Sequence, residues 1–231
     1  MLFMTVPTAG NRMHLLSSLI DQCGLPLERI VLVATRPGVD LPEGTIIIED
    51  FGPPNIQRWW SAGIEEARSR GATSVAVVND DISMTPGTLP ALEKALLSTG
   101  AAIASPSRPE FRTGLHRRPL IPYEPRLWGS LWVLRLNSGL RPDPGYVWWY
   151  GDNDLDIRAR RDHGGVVLVD VEYQHLHPGE GTAASKELRA QTDVDAHRFE
   201  TQYARLLRLS RMVSRFSPQR TSKSGHLDAA T

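Results

Sequence analysis

The chain has 231 residues, 41% hydrophobic and 23% charged, which suits a folded domain and excludes a disordered one. Its 26 basic and 26 acidic side chains cancel, which argues against nucleic-acid binding through whole-molecule charge and leaves room only for a local basic patch. The single cysteine, Cys23, excludes an intrachain disulfide and any cysteine-based zinc cluster.

The first residues (MLFMTVPTAGN) lack the basic start and long apolar run of a signal peptide. No stretch approaches the roughly 20 apolar residues of a membrane span. A soluble, cytoplasmic protein is therefore expected.

In chain order, the apolar run 2–7 predicts a buried strand, and 12–23 a helix with Met13, Leu16, Leu19 and Ile20 on one face. Strands follow at 29–34 and 45–49. A helix spans 56–70 and stops at Gly71. A strand at 74–78 breaks into Asn79-Asp80-Asp81, and a helix at 86–98 precedes a short strand at 101–104. These strands are apolar on both faces, which argues for an α/β layer fold with a mostly parallel sheet. In such sheets ligands sit beyond the carboxyl ends of the strands, so 7–12, 35–38 and 79–81 should converge on one site.

Residues 106–126 hold five prolines and five arginines and predict a long irregular loop, suited to an anion-facing lid. A strand is expected at 131–136, a helix at 151–162 and an alternating strand at 166–177. Residues 183–215 predict an arginine-rich helical extension with a break near Thr192 and Asp193, and 216–231 a loose tail. Domain limits of 1–182, 183–215 and 216–231 follow.

Three features carry chemistry. Asn79-Asp80-Asp81 places two adjacent carboxylates at a buried strand end, where they need water, hydrogen bonds or a metal; a turn with a helix cap is the plainer reading. Asp152, Asp154 and Asp156 open a helix, which either serves the helix dipole or supplies a general base. In that position the dipole should hold the Asp152 pKa down. His175 and His177 share parity in the expected strand, so both rings would face one side. Six tryptophans fall in pairs or near-pairs, and Trp148 or Trp149 could wall a sugar ring.

Taken in order, Val6-Pro7-Thr8 with Asn11-Arg12, Asn55-Ile56 leading to Trp60-Ser61-Ala62-Gly63-Ile64, Asn79-Asp80-Asp81, Trp149-Tyr150-Gly151-Asp152-Asn153-Asp154-Leu155 and His175/His177 resemble the GT-A-fold glycosyltransferases, in particular inverting family 2. The resemblance covers residues 2–182. It implies a Rossmann-like nucleotide-diphospho-sugar transferase fold and inverting transfer of a hexosyl or pentosyl group to an acceptor hydroxyl. It also implies a nucleotide-sugar donor and a divalent cation, Mn²⁺ or Mg²⁺.

Carried over residue by residue, Asp81 would bind the metal, completed by His177 or His175, with the spacing to Thr182 favouring His177. Pro7, Thr8, Asn11, Arg12, Thr35, Asn55, Asn79 and Asp80 would face the donor. Asp152 would be the base, and Trp148, Trp149 and Asp154 would lie on the acceptor side. The acceptor (glycan, protein, metabolite or modified base) and the oligomeric state stay open. The match departs at Asn79 (Asp in the family), at Gly151 (Glu), at Ser61 (Asn) and at Ala34-Thr35-Arg36, which lacks the family's Asp. The alternatives are a nucleotidyltransferase, whose Gly-rich basic loop is poorly matched by residues 8–12, and a nucleotide-sugar-binding module without turnover.

Overall fold

In the computed structural model, which describes residues 1–119, 121–179 and 185–216, the first strand β1 (Leu2–Thr8) is buried along its whole length. It lies between β2 (Ile30–Ala34) and β4 (Ser74–Val78), parallel to both. β3 (Ile46–Glu49) adds outside β2. Beyond β4 the sheet continues through β8 (Leu131–Arg135), β6 (Ile103–Pro106), β9 (Val166–Val169) and β7 (Gly114–His116), giving the order β3-β2-β1-β4-β8-β6-β9-β7. β8 runs antiparallel to β4 and β6, and β7 antiparallel to β9; the other pairs are parallel. A two-stranded sheet pairs β5 (Ile82–Met84) with β10 (Tyr173–His175).

Alternation along the strands builds two cores, one on each face. Met4, Val6, Leu32 and Ala76 pack against α1 (Met13–Cys23) and α3 (Thr88–Thr99) through Leu16, Leu19, Leu89 and Leu92. Phe3, Val31, Val75 and Val77 face α2 (Ile56–Ser69) and α4 (Gly151–Asp162) through Trp60, Ile64, Leu155 and Ala159. Gly63 sets the closeness of α2 to β1, because a Cβ there would stand 1.8 Å from Thr5 Oγ1. A third cluster of Tyr146, Ile157, Phe199 and Tyr203 joins α4 to α5 (Lys186–Gln202) and α6 (Ala204–Phe216).

The elements differ from expectation in three places. The strand expected over 166–177 is two strands in two sheets, separated at residues 170–172. The loop at 106–126 carries β7 on the sheet edge, and its later part is pinned by Arg160, which donates to the Arg118 carbonyl, and by Asp156, which accepts from the Arg126 N–H. The C-terminal helices divide at Tyr203, not near Thr192, since Asp195 and Phe199 lie on the buried side of one continuous α5. The tail expected from 216 lies, from residue 217, outside the described residues.

Candidate active site

β1 has neighbours that continue in opposite directions along the sheet, which makes the crevice between the carboxyl ends of β1 and β4 the switch point of the topology. A cavity of about 680 Å³ opens there. Pro7, Thr8, Asn11, Arg12, Thr35, Asn79, Asp80, Asp81, Trp148, Trp149, Asp152, His175 and His177 all line it. The three segments 7–12, 35–38 and 79–81 contribute together, as the topology requires.

Two side-chain contacts bridge the crevice. Thr8 Oγ1 donates to Asp80 Oδ2 at 2.7 Å, and Arg12 Nη1 donates to Asp81 Oδ2 at 2.7 Å. Burial pushes the Asp80 carboxyl above its ordinary value, with the Thr8 hydrogen bond opposing the shift. Asp81 is 3% exposed. Its Oδ1 stands 3.2 Å from His175 Nε2, off the hydrogen-bonding direction, and accepts no hydrogen bond. The antiparallel pairing of His175 with Ile82 sets this approach, delivering the imidazole beside the residue that precedes Ile82. The end of β10 at His175 leaves the shared strand parity expected for His177 without a strand to carry it, although both rings line the cavity.

Among the described residues, no cluster of three or more His, Cys, Asp or Glu side chains could hold a metal. Asp81 and His175 make a two-residue set with an unsatisfied carboxylate oxygen. That set fits a cation bound partly by substrate phosphates, which is how Mg²⁺-type ions commonly bind at diphosphates.

Asp152 lies at the first turn of α4. It accepts from the Asn153 N–H at 2.9 Å and the Gly129 N–H at 3.1 Å. It is partly exposed and lines the cavity, and burial raises its pKa above the usual carboxylate value. The depression expected from the helix dipole is therefore outweighed: backbone N–H groups do stabilise the anion, but desolvation is the larger effect.

The segment before Asp152 is held from outside the sheet. Asp195, 1% exposed on α5, accepts from the backbone N–H groups of Val147, Trp148 and Trp149 at 3.3, 2.9 and 2.8 Å. Tyr150 adopts a left-handed backbone (φ 61°), a strained state for a residue with a side chain, and stacks on Phe199 with ring centroids 5.1 Å apart. This clamp turns the chain so that Gly151 and Asp152 enter α4 at the cavity.

Two expected site residues lie elsewhere. Asn55 caps α2, accepting from the Arg58 N–H at 2.9 Å and donating to the Pro144 carbonyl at 2.9 Å, so its amide is committed to structure and does not line the cavity. Asp154 is fully buried away from the cavity, where Tyr203, Gln202 and Arg158 donate to it. Of the five arginines in 106–126, Arg108 alone reaches the cavity, its guanidinium 3.1 Å from the Trp128 ring centre, so the expected lid narrows to that end of the loop.

Sequence reasoning missed Gln57 and Asp195. Gln57 is buried at the cavity wall and fills the space a side chain at 151 would need, because a Cβ on Gly151 would lie 2.1 Å from its amide nitrogen. Glycine at 151 thus reflects this packing. Asp195 had a readable signal, since it falls seven residues after Leu188 and four before Phe199, on the buried stripe of α5.

No protein-family profile and no curated protein matches the sequence. Solved structures match in fold. S. aureus TarS 1-349 superposes with a TM-score of 0.58 at 11% identity, covering 90% of this chain and 70% of that one. The same TarS fragment in complex with UDP-GlcNAc gives 0.56 at 12%, covering 89% and 70%. The mannosyltransferase PcManGT from Pyrobaculum calidifontis, in complex with GDP-Man and Mn²⁺, gives 0.57 at 15%, covering 90% and 68%. The chain therefore has the Rossmann-like α/β fold of GT-A glycosyltransferases.

Proposed function

We propose that this chain transfers a sugar from a nucleoside-diphosphate donor to an acceptor hydroxyl, with inversion at the anomeric carbon. Residues 1–182 carry the chemistry, and helices α5 and α6 brace it. The observation that supports this most is the meeting of Asp81 and Asp152, from opposite halves of the sequence, in one cavity at the switch point of a GT-A fold. The UDP-GlcNAc bound by TarS and the GDP-Man bound by PcManGT set the class of donor to try first.

Pro7, Thr8, Asn11, Arg12, Thr35, Asn79 and Asp80 form the wall that would take the donor. Arg12 and Arg108 bring positive charge toward a departing diphosphate. Asp81 and His175, with His177 close along the chain, would hold a divalent cation, Mn²⁺ or Mg²⁺, that offsets charge on the leaving phosphates when bound. Asp152 accepts the acceptor hydroxyl proton as the oxygen attacks; its raised pKa makes it a stronger base than a surface aspartate. Trp148 and Trp149 exclude water beside it and offer apolar faces to the acceptor. No covalent enzyme intermediate is needed for a single inverting displacement. The packing of Gln57 into the space at Gly151 gives that glycine a structural role that does not depend on loss of turnover.

Calorimetric titration of UDP and GDP, each with and without Mn²⁺, tests the donor side. Binding that Mn²⁺ strengthens, and that Asp81→Ala reduces to the metal-free level in a folded protein, is expected. Unchanged affinity with Mn²⁺ in Asp81→Ala would place the metal elsewhere.

A further inference from the structure

Helix α6 (Ala204–Phe216) holds four arginines and no acidic residue, in a chain whose charges cancel overall. Its inner side is settled by contacts. Leu206 and Leu207 pack against the Tyr146–Phe199–Tyr203 cluster, and Ser210 is buried with its hydroxyl accepting from the Tyr123 N–H at 2.9 Å. With about 3.6 residues per turn, the opposite side carries Arg205, Arg208, Leu209 and Met212, with Arg211 at its border. All five are exposed, Leu209 at 36% and Met212 at 50%, and together they surround one recess.

We propose that this outer face of α6 docks the protein on the surface of an anionic lipid bilayer. Nucleic acid would use the arginines and leave Leu209 and Met212 against phosphate and water. A hydrophobic protein partner would use Leu209 and Met212 and bury uncompensated guanidinium groups. A bilayer interface satisfies both residue types at different depths. Leucine and methionine enter the acyl boundary, while the arginine stems lie along it and the guanidinium groups meet lipid phosphates. A helix of thirteen residues is about 20 Å long and lies flat, gripped from within by its packed inner face. No helix of the described residues is long and apolar enough to cross a membrane, and the attachment proposed through this face is peripheral. The inference is independent of the cavity's chemistry.

The test is cosedimentation of the full chain with vesicles of phosphatidylcholine alone or mixed with phosphatidylglycerol, at low and high salt. Partition onto the anionic vesicles only, weakened by salt, is expected. Leu209→Glu with Met212→Glu, and separately Arg205→Gln with Arg208→Gln, should each reduce it by about tenfold or more. Their thermal melts should match wild type, since neither pair touches the inner face. Absence of binding to anionic vesicles at low salt overturns the proposal. So does equal partition of the folded double variants and wild type, which would move the contact off α6. Binding to an RNA oligonucleotide that outcompetes the vesicles overturns it as well.

Discussion

The cavity at the carboxyl edge and the seam between α4 and the C-terminal helices both bury aspartates, yet they treat them differently. In the seam the carboxylates are saturated. Asp154 accepts from Tyr203, Gln202 and Arg158; Asp156 from Tyr123, Arg160 and the Arg126 N–H; Asp195 from three backbone N–H groups and Gln191. In the cavity they are left short. Asp152 has two backbone donors and Asp81 Oδ1 has none. Asp152 and Asp156 sit one turn apart on the same helix, so residue type and spacing cannot tell them apart. What separates them is the number of donors aimed at each: a saturated buried carboxylate is architecture, and an undersupplied one beside a cavity retains capacity for a proton or a cation.

The largest effect expected from this contrast is on Asp152. Asp152→Asn should lower transfer about 10²–10⁴-fold with donor binding nearly intact. Its effect on stability should be small, because relief of the anion's desolvation offsets the cost of an amide N–H facing the Asn153 or Gly129 N–H. In wild type the folded-state pKa is raised, so the folded protein holds a proton that the unfolded chain has already released. Stability therefore falls as pH rises from the ordinary aspartate range to the raised value, and levels off above it. The transfer rate should climb through that same raised value as the base ionises. Equal rates for Asp152→Asn and wild type at saturating substrates would move the base elsewhere.

The seam should respond in the reverse manner. Asp156→Ala strands Arg160, whose side chain is fully buried, and should cost about 3–5 kcal/mol in denaturant unfolding. Replacing both partners, Asp156→Leu with Arg160→Met, should recover much of that loss. A stable Asp156→Ala variant with lost transfer would erase the distinction drawn between the two regions.

Much of the fold was legible in the sequence because buried parallel strands are uniformly apolar and their helices amphipathic: β1, β2 and β4 and the helices α2 and α4 stand where the pattern puts them. The cavity's polar wall was legible because the topology forces strand ends together. The seam was not. Asp154 looked like a companion of Asp152 because its partners, Gln202 and Tyr203, lie about fifty residues away at the end of α5. Asn55 looked like a donor contact because an asparagine before a helix reads equally as ligand or cap. The Asp170–Glu172 break was hidden by continued alternation, which records side-chain faces and not which sheet a strand joins.

A smaller effect is expected where the seam supports the cavity. Asp195→Asn keeps the size of the side chain but replaces an oxygen with an amide donor facing backbone N–H groups. It should cost about 1–3 kcal/mol of stability. It should also raise the acceptor KM more than it lowers donor affinity, because the clamp holds Trp148 and Trp149. Unaltered acceptor kinetics in a folded Asp195→Asn protein would confine the clamp to stability.

The smallest effect concerns Asn55, where the roles of ligand and cap can be separated outright. Its Oδ1 accepts the Arg58 N–H at the start of α2, and its Nδ2 donates to the Pro144 carbonyl ahead of the aromatic segment. Asn55→Ala removes both and should cost about 0.5–2 kcal/mol, the range for losing an N-cap. Asn55→Asp preserves the cap acceptor and adds a charge favoured by the helix dipole, while losing the donation to Pro144. It should therefore recover most of the thermal stability that alanine loses. Neither variant should change UDP or GDP affinity in calorimetry, because the side chain does not line the cavity. A drop in nucleotide affinity with an unchanged melting temperature would return Asn55 to the donor wall and show that its cap is dispensable.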